Sequence, residues 1–376
     1  MISAWLLERL ACPVCLEPEG CPACSRGSGG HETCVAEYGE RARCACGGPD
    51  KVRLRASEKS LDCPCCGASY ACDAETGHAD LVPREERADI TQYADHEFHE
   101  RLGVKDGPPV LSARVKADMM RRMLEPSAGE DVLDLGCGAG KLALFAQRSG
   151  ARVAGVDVAP FFLPRAVASL DLVLGDLRRL PFRKGSFSRA YTLDVLEHLE
   201  EDGVASVLLE ARRTIGAQGR LFVYTHAMES SRLARFQRWV NALARRLGRW
   251  GLIDHEREAM RKSDHRNAIR SHEHFDSLCE RAGLVVSQRR YYNVVAKAVI
   301  EDLGLRLVEQ LRRRRQEAKP VAHEAHGEVE SHAAPVPIGR GALALATLLT
   351  WLMKLDVVLF GGIRTGPFFG LLEPRR

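Results

Sequence analysis

The run Val132-Leu133-Asp134-Leu135-Gly136-Cys137-Gly138-Ala139-Gly140 constrains the fold of this 376-residue chain most. Its short apolar stretch has the length and pattern of a buried parallel strand, and Lys141 to Gln147 open a helix directly after the last glycine. Glycines at alternate positions let the backbone pass close to a ligand, and free amides at the helix start can face polar ligand groups. Strand, glycine turn and helix make a nucleotide-binding corner. Many dinucleotide enzymes share a glycine-rich first turn, so the corner alone does not name its ligand.

The next segments repeat the pattern. Arg152-Val153-Ala154-Gly155-Val156-Asp157 is a second apolar strand ending in a carboxylate, about 20 residues on, where an acid can hold ribose hydroxyls. Leu172 to Asp176 again ends in an acid, and Tyr191-Thr192-Leu193-Asp194-Val195-Leu196-Glu197-His198-Leu199 follows. A helix over Gly203 to Thr214 then leads to the strand Arg220 to Thr225. This alternation implies an α/β fold, with helices on both faces of a parallel sheet.

The succession resembles the class I S-adenosylmethionine-dependent methyltransferases, within the broad family whose fourth strand runs into a D-x-L-E-H-type sequence. The resemblance covers roughly Leu111 to Gly283. It implies a Rossmann-like sheet with a final antiparallel hairpin, for which Leu284 to Tyr291 and Pro367 to Leu372 are the candidate strands. It also implies that Asp134, Gly136, Gly138 and Gly140 lie beside the amino-acid part of the cofactor. Asp157, with Val158 next to it, would take the ribose, and Asp176 and Leu177 would border the adenine. Asp194 would sit near the methyl group. Each carboxylate alone could equally be a surface residue or a helix cap, and four in register favour the cofactor reading.

Such chemistry asks the protein to align a nucleophile with the methyl group and, for a hydroxyl, to remove a proton. His198, Glu197, His226 and His265 are the candidate bases. Glu197 and His198 also suit a bracing role at the helix after the fourth strand, and His226 and His265 suit solvated loops.

All 13 cysteines except Cys137 and Cys279 precede Asp73, which defines an N-terminal module over residues 1–83. No basic stretch followed by an apolar segment and a cleavage site opens the chain, so the cytoplasm is the expected location, and clustered thiols there favour metal over disulfides. Cys12-x-x-Cys15 and Cys63-x-x-Cys66 form two knuckles that can surround one zinc tetrahedrally. The long insertion between them carries Cys21, Cys24, Cys44 and Cys46, a possible second zinc set. The frame Leu6 to Cys15, Leu61 to Tyr70 and Asp80 to Pro83 looks like the small zinc-ribbon family that partners or is fused to methyltransferases. That family is compact, and the insertion departs from it. A module this small depends on metal for folding energy.

Residues 84–110 read as a connector and 111–300 as the catalytic core, with a basic lid over 226–270. Within the lid, Ser230 to Trp250 reads as an amphipathic helix whose apolar stripe is flanked by Arg232, Arg235, Arg238, Arg245, Arg246 and Arg249. The lid's basic excess is larger than the whole chain's net +4. A basic helix with Trp239 and Trp250 suits an anionic membrane surface or anionic substrate, and equally a cap helix with a solvated arginine face. Residues 301–340 read as a basic helix and disordered linker, and 341–376 as an apolar helix and the last strand. The uncharged run Gly341 to Met353 is too short to span a bilayer; it can pack on the sheet or join the lid at a membrane.

The leading expectation is a cytoplasmic methyltransferase, free or peripheral at the inner membrane surface, acting on a small-molecule, glycan-precursor or lipid-like acceptor. A second is rRNA or tRNA base methylation, because a zinc module before this fold also resembles the bacterial rRNA guanine methyltransferases; the modest charge lends little support. A third is a noncatalytic zinc-dependent interaction protein, against which the intact glycines and strand-end acids speak.

Overall fold

The computed structural model describes residues 2–15, 53–74, 76–83, 95–98, 106–253, 265–308, 310–311 and 340–375. Its centre is an eight-stranded sheet. Strand β4 (Ala79–Asp80) is followed by β5 (Asp131–Leu135), β6 (Arg152–Asp157), β7 (Asp171–Leu174), β8 (Arg189–Leu193), β9 (Arg220–His226), β10 (Leu284–Tyr291) and β11 (Pro367–Pro374), in the spatial order β10-β11-β9-β8-β5-β6-β7-β4. Strands β4 to β9 pair in parallel, while β11 inserts antiparallel between β9 and β10. This is the expected doubly wound sheet with its closing hairpin. Strands β5 to β9 are almost wholly buried, as their continuous apolar runs require of a sheet covered on both faces.

The helices follow their sequence signals closely. Leu111–Leu124 ends with Glu125 in a left-handed C-cap, and Glu201–Ile215 starts with two acids in its first turn, where the helix dipole favours them. The lid helix spans Ala234–Arg249. Val240 and Ala244 are its buried positions, and the six arginines flanking its apolar stripe are all exposed. Ala298–Leu305 forms a π-helix against which the lid helix packs.

The N-terminal residues form a three-stranded antiparallel sheet of β1 (Arg55–Ala56), β2 (Ser60–Asp62) and β3 (Ser69–Ala71). They are joined to the main sheet at two places. Strand β4 extends the sheet edge beside β7, and Leu81 N donates to Leu174 O at 2.9 Å. At the second, Leu10 bridges Phe182, Ala11 N donates to Pro181 O at 3.0 Å, and Arg183 N donates to Arg9 O at 2.8 Å. Leu6, Leu10, Cys12, Leu61 and Leu81 share one buried cluster with Leu133, Leu180, Phe182 and Phe187. A module too small for a core of its own thus borrows one.

The C-terminal apolar segment corrects the expectation of a short run. One helix covers Arg340–Phe360, and Leu343–Phe360 is by length and composition long and apolar enough to cross a membrane, with 17% of that window buried. The two charges that seemed to interrupt it face inward: Lys354 Nζ lies 2.6 Å from Asp118, and buried Asp356 accepts from Ala296 N at 2.7 Å. Thr350 and Met353 are buried on that same side, against Leu111–Leu124 and the sheet. Leu345, Leu348, Trp351, Val358 and Leu359 are exposed.

Candidate active site

The glycine corner lies at the C-terminal end of β5, where parallel α/β sheets place their ligands. Gly136 (φ +78°), Gly138 (φ +50°) and Gly140 (φ +80°) all adopt left-handed backbone. A Cβ on Gly136 would run into Val195 Cγ2, and one on Gly140 would lie 2.6 Å from Ala166 Cβ; a Cβ on Gly138 would meet open space. Gly136 and Gly140 therefore serve packing, and Gly138 leaves room above the turn. The adjoining Asp134 is buried, and Tyr191 Oη donates to its Oδ2 at 2.8 Å. Burial pushes its carboxyl up to about 8, with the Tyr191 hydrogen bond opposing.

Asp157, at the end of β6, turns back to the corner. Its Oδ2 accepts from Gly138 N at 2.7 Å and its Oδ1 from Ala159 N at 2.9 Å. Burial raises its pKa, and these amides oppose the rise. The carboxylate is oriented before any ligand arrives, and each oxygen keeps acceptor capacity for a hydroxyl. Val158 is half-buried beside it. Asp176 caps the turn Leu177–Arg179 by accepting from Arg178 N at 2.8 Å, and the Arg178 guanidinium engages both its oxygens. An adenine amine there would have to share the carboxylate with Arg178. Leu177 is half-buried in the same turn.

Asp194 ends β8 in a left-handed conformation, φ +57°. Its exposed carboxylate is held by Lys116 Nζ at 2.5 Å, and that ammonium lies 4.5 Å from the centroid of the Tyr224 ring. Neither Lys116 nor Tyr224 was marked by the sequence, because one lies on the helix before β5 and the other on β9. The fold alone brings them to Asp194.

The four candidate bases gather beyond Asp194. Glu197 is buried, accepts from Thr225 Oγ1 at 3.0 Å, and has Oε1 3.3 Å from His226 Nδ1. Burial alone would raise its pKa, but the hydrogen bond and charge of His226 outweigh it and hold the carboxyl at about 2. The His198 and His265 rings meet edge to face at 4.8 Å between centroids, and His265 lies 6.4 Å from His226. Arg266 N and Asn267 N donate to Glu197 O at 2.8 and 3.2 Å, which pins the segment bearing His265 to this turn.

The first two cysteine knuckles also come together. Cys12 and Cys66 sulfurs are 3.7 Å apart, and those of Cys15 and Cys63 are 3.6 Å apart. All four fall within 4.8 Å of one another. Tetrahedral zinc with bonds of about 2.3 Å needs sulfurs about 3.8 Å apart, so the set fits such an ion. Tyr70 Oη lies 3.0 Å from Cys12 Sγ, the kind of outer hydrogen bond that steadies a thiolate ligand. Side-chain hydrogen bonds with Cys12 and then Cys15 lower Cys63 to about 7. Cys21, Cys24, Cys44 and Cys46 lie outside the described residues.

Residues 132–219 match the family model described as a methyltransferase domain. An uncharacterized transposon protein of Streptomyces fradiae is 36% identical over 120 residues, which is 29% of this chain and 34% of that protein. An O-methyltransferase of Aspergillus sclerotiorum is 30% identical over 128 residues, 30% of this chain and 48% of that one. The chain thus spans half or less of the length of these curated relatives. Among solved structures, the Haemonchus contortus phosphoethanolamine N-methyltransferase 2 with S-adenosyl-L-methionine has 16% identity and a TM-score of 0.46, covering 78% of this chain and 60% of its own. The geranyl diphosphate C-methyltransferase of Streptomyces coelicolor has 13% identity and a TM-score of 0.39, covering 70% and 76%. The family match and the strand order agree: residues 132–219 match a methyltransferase domain and lie within a Rossmann-like sheet.

Proposed function

We propose that the whole protein is an S-adenosylmethionine-dependent methyltransferase acting on a small-molecule or lipid-like acceptor. The observation that carries this is the bond from Gly138 N to Asp157, which links the open glycine turn to the ribose acid. When bound, S-adenosylmethionine supplies an electrophilic methyl group on its sulfonium. The corner would let its amino-acid end approach the backbone, Asp157 would accept from the ribose hydroxyls, and Leu177 would pack on the adenine. Asp194, held by Lys116, borders the methyl position. His226, oriented by Glu197, takes the proton from an acceptor hydroxyl. The bound cofactor would supply the methyl carbon for the bond to the acceptor atom, with the electron pair of the broken C–S bond left on its sulfur.

The four-cysteine site is read as a zinc ribbon with a structural role, which its shared core with the sheet supports. The lid arginines and the exposed apolar side of Arg340–Phe360 support a peripheral position on the cytoplasmic face of an anionic bilayer. Exposed Trp239 and Trp250 suit the headgroup level, and Arg246 packs 5.4 Å from the Trp250 ring. Co-sedimentation with vesicles containing phosphatidylserine tests this: binding to anionic but not neutral vesicles is expected, and equal absence from both contradicts it.

Methyl incorporation from labelled cofactor, compared across small-molecule, lipid and RNA extracts, tests the acceptor class. Label in the small-molecule or lipid fraction is expected. Label confined to RNA would replace this reading with nucleic-acid methylation.

A further inference from the structure

Beyond Asp194 the site holds more nitrogen and oxygen donors than a proton transfer needs. One ligand atom from each of Glu197, His198 and His265 lies within 4.8 Å of the others. Two of these residues sit in the turn after β8, and the third is brought in by the backbone bonds from Arg266 and Asn267 to Glu197 O. The carboxylate is buried and doubly braced, by Thr225 Oγ1 at 3.0 Å on Oε2 and by His226 Nδ1 at 3.3 Å on Oε1. Supporting partners of this kind commonly fix a metal-bound carboxylate.

We propose that Glu197, His198 and His265 bind a divalent transition-metal ion at the acceptor side of the cofactor corner. Two imidazoles and one carboxylate suit Mn²⁺, Fe²⁺, Co²⁺ or Zn²⁺, whereas the four thiolates of the N-terminal module select zinc. Three protein ligands leave open positions on a six-coordinate ion, enough for two neighbouring oxygens of one acceptor. The substrate class so defined is a molecule with vicinal oxygen donors, one of which receives the methyl group. Coordination lowers the pKa of that hydroxyl, His226 takes its proton, and the oxygen's electron pair attacks the methyl carbon as the C–S bond breaks toward sulfur. This assignment of the acceptor rests on the methyltransferase reading; the ion site itself does not.

Mn²⁺ titration of the full chain carrying a single equivalent of zinc, which the four thiolates hold, followed by electron paramagnetic resonance of the free Mn²⁺, tests the site. S-adenosylmethionine affinity is measured alongside by calorimetry. One Mn²⁺ per chain is expected, weakened about tenfold or more in His265→Ala and in Glu197→Gln. His265 is only half-buried, so its variant keeps the fold and the cofactor affinity even if Glu197→Gln melts early. Absence of stoichiometric Mn²⁺ binding, or binding unchanged in His265→Ala, overturns the metal site while cofactor binding persists. Mn²⁺ binding without cofactor binding upholds the site and overturns the methyltransferase reading instead.

Discussion

The four-cysteine module and the glycine corner both gather ligand-holding groups, but by opposite means. In the module, side chains from two distant knuckles converge on one point, and among the described residues the regular structure around them is one helical turn and strands of two or three residues. In the corner, the backbone itself is the device: three glycines in left-handed conformation, with one carboxylate fixed by two amides. The first kind of site exchanges ligand binding directly for folding energy. The second is folded in advance and is sensitive to any added atom. The two are coupled, because Leu10 and Ala11 next to Cys12 support the segment from Pro181 to Arg183 that follows the turn Leu177–Arg179.

Four perturbations separate the two regions. Chelation should have the largest effect, since structural thiolate sites carry on the order of 10 kcal/mol of zinc-binding free energy. Melting followed by circular dichroism should show a marked drop for the whole sheet, because the module shares its core; an unchanged sheet transition would mean that the regions are independent. Next, Gly136→Ala and Gly138→Ala should differ. The left-handed backbone costs each about 1–2 kcal/mol, but Gly136→Ala adds a clash with Val195, so denaturant unfolding should show it clearly less stable. Gly138→Ala should instead lose cofactor affinity, and equal stability losses in the two variants would contradict the division of roles.

Asp157→Ala should weaken cofactor binding by about 1–3 kcal/mol, read by calorimetry, as charged hydrogen bonds are lost. Unchanged affinity would move the ribose contact elsewhere. The last perturbation concerns Asp134 and is read as a change of slope with pH. Its folded pKa of about 8 lies above the ordinary carboxyl value of 3.8, so the folded state binds the extra proton between those values. That contribution is present at low pH and is lost as pH rises through about 8, with a slope of up to about 1.4 kcal/mol per pH unit. Asp134→Asn cannot ionise and should flatten this part of the stability profile; an identical slope would assign it to another group.

Much of this was legible in the sequence because it is local. The apolar runs of β5, β6, β7 and β8 specify each strand together with the acid near its end, and the closing hairpin expected at Leu284–Tyr291 and Pro367–Leu372 lies at Leu284–Tyr291 and Pro367–Pro374. What was not legible depends on contacts between remote segments. Lys116 meets Asp194, Arg178 meets Asp176 over a turn whose geometry no periodicity shows, and Arg9 pairs with Asp131 across the two regions. The C-terminal helix was misjudged for a related reason. Lys354 and Asp356 interrupt its hydropathy in one dimension, but both point inward to partners and leave the outer face apolar.

Calorimetric titration of the zinc-loaded full chain with S-adenosylmethionine tests the central claim most directly. One cofactor per chain, with affinity reduced in Asp157→Ala, is the predicted result. Folded, zinc-loaded protein that binds no cofactor would contradict it.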